Sequence, residues 1–109
     1  MTTFSGVLED LFDLIESRRG AEASASYTAS LLTAGKAACA QKLGEEAIET
    51  VIAATGQDRS RVIAESADLL YHLLVLWAAA GISPQDVGAE LDRRRGQSGH
   101  QEKASRKSE

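Results

Sequence analysis

Residues 45–72 read EEAIETVIAATGQDRSRVIAESADLLYH, and this stretch decides the architecture. At the roughly 100° step of an α-helix, Glu45, Glu46 and Glu49 share one face, while Leu43, Ala47, Ile48, Val51 and Ile52 occupy the opposite one. Gly56 is a natural stop for that helix and Asp58 a natural N-cap for the next. On the second helix Arg61, Glu65, Asp68 and His72 fall together, and Val62, Ile63, Leu69, Leu70, Leu73, Leu74 and Trp77 fill the other faces. A turn as short as Gly56-Gln57-Asp58 makes the two helices antiparallel neighbours. Their acidic faces, each with carboxylates at i, i+3 spacing, can therefore converge.

Outward from this hairpin the chain stays helical. Phe4, Val7, Leu8, Leu11, Phe12, Leu14 and Ile15 have the spacing of an amphipathic helix closing near Arg18-Arg19-Gly20. A small, polar loop runs from Gly20 to Ser26, and Ser26 or Thr28 caps a short helix ending at Gly35. The third helix is predicted from about Lys36 to Thr55 and the fourth from about Arg59 to Ala80. Ser83-Pro84-Gln85-Asp86 is a helix start, with a capping hydroxyl, Pro at N1 and an acid at N3, opening a fifth helix to about Arg95. The predicted fold class is an all-α bundle of about five helices spanning residues 1–96. Residues 97–109 form a basic C-terminal segment without periodicity, expected to be flexible or ordered by substrate. The fourth helix is apolar around more of its circumference than a small monomer covers, so the core is expected to be completed by a homodimer.

The 109 residues carry 12 Lys+Arg against 16 Asp+Glu, a formal net charge of -4. That balance argues against a nucleic-acid partner, which calls for a basic excess. One cysteine, Cys39, excludes an internal disulfide and reads as a buried thiol in a reducing compartment, hence a cytoplasmic protein. The longest uncharged stretch, Leu69 to Gln85, contains His72 and Pro84 and is short for a bilayer span, so no membrane is expected. A single Pro with many Ala and Leu agrees with the helical reading.

Converging carboxylates repel one another unless a cation lies between them. An oxygen-only donor set favours Mg²⁺, with Mn²⁺ as the variant, over zinc or iron. A di-iron bundle would need Glu-x-x-His pairs from two helices, and the chain offers only His72 on these helices. A hard divalent cation on carboxylates implies a phosphate-bearing partner. There is no P-loop motif, so side chains must meet the phosphates. Lys36, Lys42, Arg61, Arg93, Arg94, Arg95, Lys103 and Arg106 are the cations available, each of which also reads as an ordinary solvated surface charge. Tyr27 and Tyr71 read first as core packing and second as rings able to stack on a purine.

The pattern Glu45-Glu46-x-x-Glu49 followed by Glu65-x-x-Asp68 resembles the signature of the all-α nucleoside triphosphate pyrophosphohydrolase superfamily. With Ser26-Tyr27-Thr28, Gly35-Lys36, Gln41-Lys42-Leu43-Gly44, Ala67-Asp68-Leu69-Leu70-Tyr71-His72 and Arg95-Gly96-Gln97-Ser98-Gly99 to Glu102-Lys103-Ala104, the chain resembles the phosphoribosyl-ATP pyrophosphohydrolase family of histidine biosynthesis. The resemblance implies an enzyme that cleaves the α,β-phosphoanhydride of phosphoribosyl-ATP, releasing pyrophosphate and phosphoribosyl-AMP. It also implies a helical dimer, in the form not fused to the cyclohydrolase that acts next. On this reading Glu46, Glu49, Glu65 and Asp68 hold Mg²⁺ with Glu45 on or beside it, and Glu49 or Glu46 is the general base. Lys36, Lys42, Arg61, Arg95 and Lys103 bind substrate phosphates, the Arg95 to Lys103 segment acting as a lid. His72 orients the Asp68 carboxylate. The alternatives are a housecleaning pyrophosphohydrolase of the same superfamily acting on free nucleotides, and a non-enzymatic helical dimerisation module.

Overall fold

A computed structural model describes residues 2–97 and 99–107, and every regular element in them is helical. Ser98 of the motif quoted above lies outside the described residues, as do Met1, Ser108 and Glu109. Helix α1 spans Phe4–Ser17, and a single 3-10 turn at Ala23–Ala25 leads to α2, Tyr27–Ala34. The central pair is α3, Lys36–Thr55, and α4, Arg59–Ala80, followed by α5, Pro84–Arg93.

The chain's own punctuation sets these boundaries. Thr3 accepts from the Gly6 amide, Ser26 from Ala29 and Asp58 from Arg61, each satisfying a donor that the first helical turn leaves orphaned. Of the two candidates for the start of α2, Ser26 is the cap. At Ser83 the capping box is complete: its hydroxyl accepts from the Asp86 amide at 3.1 Å, and the Asp86 carboxylate accepts from the Ser83 amide at 2.9 Å. Gly81, at φ 74°, takes the left-handed turn that closes α4, and the Ile82 amide reaches back to the Trp77 carbonyl at 2.9 Å.

The hairpin of α3 and α4 is the most extensive packing in the molecule, with α1 and α2 laid on α4 and α5 set against α1. The core gathers on the C-terminal half of α4, where Leu74, Val75 and Ala78 meet Ile15, Leu31 and Cys39, with Phe12, Leu11 and Tyr71 around them. Cys39 is buried as expected, and its thiol donates to the Leu31 carbonyl at 3.2 Å. Arg19 ties α1 to the end of α4, donating at 2.6 Å to the Ala78 carbonyl while its other contacts go to Glu16. α4 has the length and mean hydropathy of a membrane span, yet it carries a buried histidine and the core of the bundle.

Residues Gly99–Lys107, in the segment whose sequence shows no periodicity, form a further helix, α6. Gln101, Glu102, Lys103, Ala104, Arg106 and Lys107 are good helix formers, but they are polar all round. Such a helix has no apolar stripe, and hydrophobic periodicity cannot reveal it.

Candidate metal and phosphate site

The first half of α4 is where the carboxylates meet. An oxygen from each of Glu46, Glu65 and Asp68 lies within 4.8 Å of the others, with Glu46 and Glu65 partly buried and Asp68 exposed. Glu46 comes from α3 and the other two from α4, so the group exists only because the hairpin aligns two helices. Partial burial, then the neighbouring carboxylates of Asp68, Glu46 and Glu49, push the Glu65 carboxyl above the usual range, with Arg61 pulling the other way. Glu49 is thus close enough to act on Glu65 while standing outside the group of three. Glu45, also outside the group of three, is paired with Lys42 at 3.6 Å.

Thr50 is the residue that spacing did not single out. Its hydroxyl lies 2.8 Å from the Glu46 carbonyl and 3.3 Å from the Glu65 carbonyl, joining the backbones that carry two of the clustered acids. A threonine one turn beyond a candidate ligand is the only signal the sequence holds for this.

His72 does not do what its spacing suggested. Its Nδ1 lies 2.8 Å from the backbone carbonyl of Asp68, not from the carboxylate, and its Nε2 is 3.1 Å from the Tyr27 hydroxyl. A carbonyl only accepts, so Nδ1 carries the proton and the phenol donates to Nε2. In a helix the side chain at i+4 leans back over the preceding turn, which brings it to the carbonyl of residue i. The contact therefore holds the backbone of Asp68 and leaves its carboxylate free.

Of the expected phosphate-binding cations, Lys42 lies one turn before Glu46 and Arg61 one turn before Glu65, where its charge reaches the Glu65 carboxyl. Lys36 is exposed in the first turn of α3. Arg95 is held by Asp92 at 3.0 Å, and Lys103 is exposed on α6.

The donor set is chemically consistent with a hard cation: carboxylate oxygens alone, from two helices, one of them already resisting ionisation because of partial burial and its acidic neighbours. Fold and site together define an all-helical protein whose central hairpin presents an acidic cluster with cationic side chains one turn away. The family model described as phosphoribosyl-ATP pyrophosphohydrolase matches residues 8–95. The chain is 58% identical over 106 residues to a phosphoribosyl-ATP pyrophosphatase of Parvibaculum lavamentivorans, covering 97% of each chain. It is 59% identical to that of Azorhizobium caulinodans over 91% of each, and 52% identical to that of Paramagnetospirillum magneticum over 97% of each. The chain belongs to the phosphoribosyl-ATP pyrophosphohydrolase family, and it is an enzyme.

Proposed function

We propose that this chain hydrolyses the α,β-phosphoanhydride of 1-(5-phosphoribosyl)-ATP to phosphoribosyl-AMP and pyrophosphate, the second step of L-histidine biosynthesis, in the cytoplasm. The observation that carries the reading is the convergence of Glu46, Glu65 and Asp68 in a chain of this family.

Glu46, Glu65 and Asp68 would hold Mg²⁺, or Mn²⁺ in its place, with Glu49 and Glu45 on the same acidic face. The ion, when bound, neutralises triphosphate charge and makes a nearby water more acidic. Glu49 is the carboxylate best suited as general base, because it stands beside the group of three without belonging to it. It takes a proton from water as the water oxygen attacks phosphorus at the bridge and pyrophosphate departs. Lys42 and Arg61, a turn from the acids, offset charge on the phosphates. Lys36, Arg95 and Lys103 are the further cations available to the triphosphate.

The enzyme is proposed to act as a homodimer. Ile48, Val51 and Ile52 on α3 and Ile63 on α4 are each about half exposed or more, an apolar surface on the hairpin that a second copy would cover.

The test is pyrophosphate release with Mg²⁺ from phosphoribosyl-ATP and from a panel of free canonical and damaged nucleoside triphosphates. Preference for phosphoribosyl-ATP is expected. Preference for free nucleotides would replace this assignment with the housecleaning one.

A further inference from the structure

Tyr27 is arranged unlike an ordinary surface tyrosine. Such a residue lays its ring on apolar surface and turns its hydroxyl to water. Here the hydroxyl points inward and donates to Nε2 of His72, a side chain only 6% exposed, while the residue itself is 54% exposed. His72 is in turn fixed by its bond to the Asp68 carbonyl. Beside it, the Thr28 hydroxyl is bonded to the Tyr71 hydroxyl, and the rings of Tyr27 and Tyr71 lie within 21° of parallel at 6.3 Å. The Tyr71 ring meets His72 edge-on at 4.9 Å.

The ring of Tyr27 is therefore immobilised from below and open above. The arrangement sits at the edge of the core, which gathers further along α4. The anchor, His72, lies four residues, about 6 Å of helix rise, beyond Asp68, and the Tyr27 ring centroid is a further 6.0 Å from that of His72. An open aromatic face one side chain out from that turn is within reach of the base of a nucleotide whose phosphates lie at the cluster. Aromatic faces bind bases by stacking, and a purine offers more surface than a pyrimidine.

We propose that Tyr27 is a specificity-determining residue: its exposed ring stacks on the purine base of the substrate, held in place through its hydroxyl by His72. This rests on the functional reading above for the nucleotide character of the substrate. The Tyr27 ring adds which base is preferred and which face of the protein receives it.

The test is calorimetric binding of adenosine and uridine 5′-monophosphates to wild type, Tyr27→Leu, Tyr27→Phe and Tyr27→Trp, with circular dichroism to confirm helicity. Wild type is expected to prefer the purine. Tyr27→Leu should weaken adenosine monophosphate binding roughly tenfold and bring the two ligands level. Tyr27→Phe or Tyr27→Trp, which keep a ring, should retain the preference. No preference in wild type, a preference surviving in Tyr27→Leu, or its loss in all three variants overturns the proposal. So does a change of sedimentation mass in Tyr27→Leu with discrimination unchanged, which would put the ring between copies of the chain. Absence of pyrophosphate release from phosphoribosyl-ATP would defeat the functional reading alone, since the base preference is measured without catalysis.

Discussion

The hydroxyl of Thr50 on α3 lies 3.3 Å from the backbone carbonyl of Glu65 on α4, while also reaching the carbonyl of Glu46 at 2.8 Å. It is a direct link between the two helices at the level of the acids. Both carbonyls belong to helical segments, so removing the hydroxyl leaves them with other partners. Thr50→Val, which keeps the shape, should cost about 1 kcal/mol of stability. Because the link sets how the acids face each other, kcat for pyrophosphate release should also fall several-fold. Denaturant unfolding and initial rates check the two effects together.

Glu65 makes a statement about pH. Its carboxyl is raised in the fold by partial burial and by Asp68, Glu46 and Glu49, so folding favours the protonated form. Stability from that group is fully present below the ordinary value of 4.5 and is lost as pH rises through the raised value. Metal-free protein should therefore weaken from pH 4.5 towards neutrality. Glu65→Gln should remove that slope and raise the neutral-pH melting temperature in chelator, while abolishing activity. Thermal melts in EDTA across this range provide the check.

On α5 the sign is opposite. Hydrogen bonds from Arg93 and Arg94 hold the Glu90 carboxyl down to about 2. Its contribution to the end of α5 is present above 4.5 and fades as pH falls towards about 2. Carboxyl-carbon NMR should place the Glu90 midpoint far below the ordinary 4.5, and Arg93→Ala should bring it back towards that value. The groups are partly exposed, so high salt should weaken the effect.

Cys39 reports on the core. It is 1% exposed, and burial raises its thiol above the ordinary range. Both properties suppress thiolate chemistry. Iodoacetamide at pH 8 should leave it unmodified in the native protein and alkylate it fully in denaturant. The labelling rate across a denaturant series should follow unfolding measured by circular dichroism.

Much of the molecule could be read from residue order, and the parts that could not share a cause. The hairpin was legible because acids and apolar residues separate on both helices and because Gly56, Asp58 and Gly81 punctuate them. α6 was not, since its sequence carries no hydrophobic periodicity. Glu46, Glu65 and Asp68 were legible as a group, but separating Glu45 and Glu49 from them required the actual crossing of α3 on α4. Thr50 and the Tyr27–His72 bond depend on contacts between helices, to which one-dimensional spacing is blind. His72 shows the limit most clearly: i, i+4 spacing put it beside Asp68, and helix geometry delivered the carbonyl instead of the carboxylate.

Under the proposed function, pyrophosphate release depends on a divalent cation held by the clustered carboxylates. The most direct test of that dependence is the initial rate with phosphoribosyl-ATP as Mg²⁺ is titrated, for wild type, Asp68→Asn and the Glu46→Gln/Asp68→Asn double variant. A saturable Mg²⁺ dependence is expected, with no rate in EDTA. The Mg²⁺ requirement should rise about tenfold or more in Asp68→Asn, and the double variant should show background rates with retained helicity. Undiminished release in EDTA, or a double variant as active as wild type, would contradict that dependence.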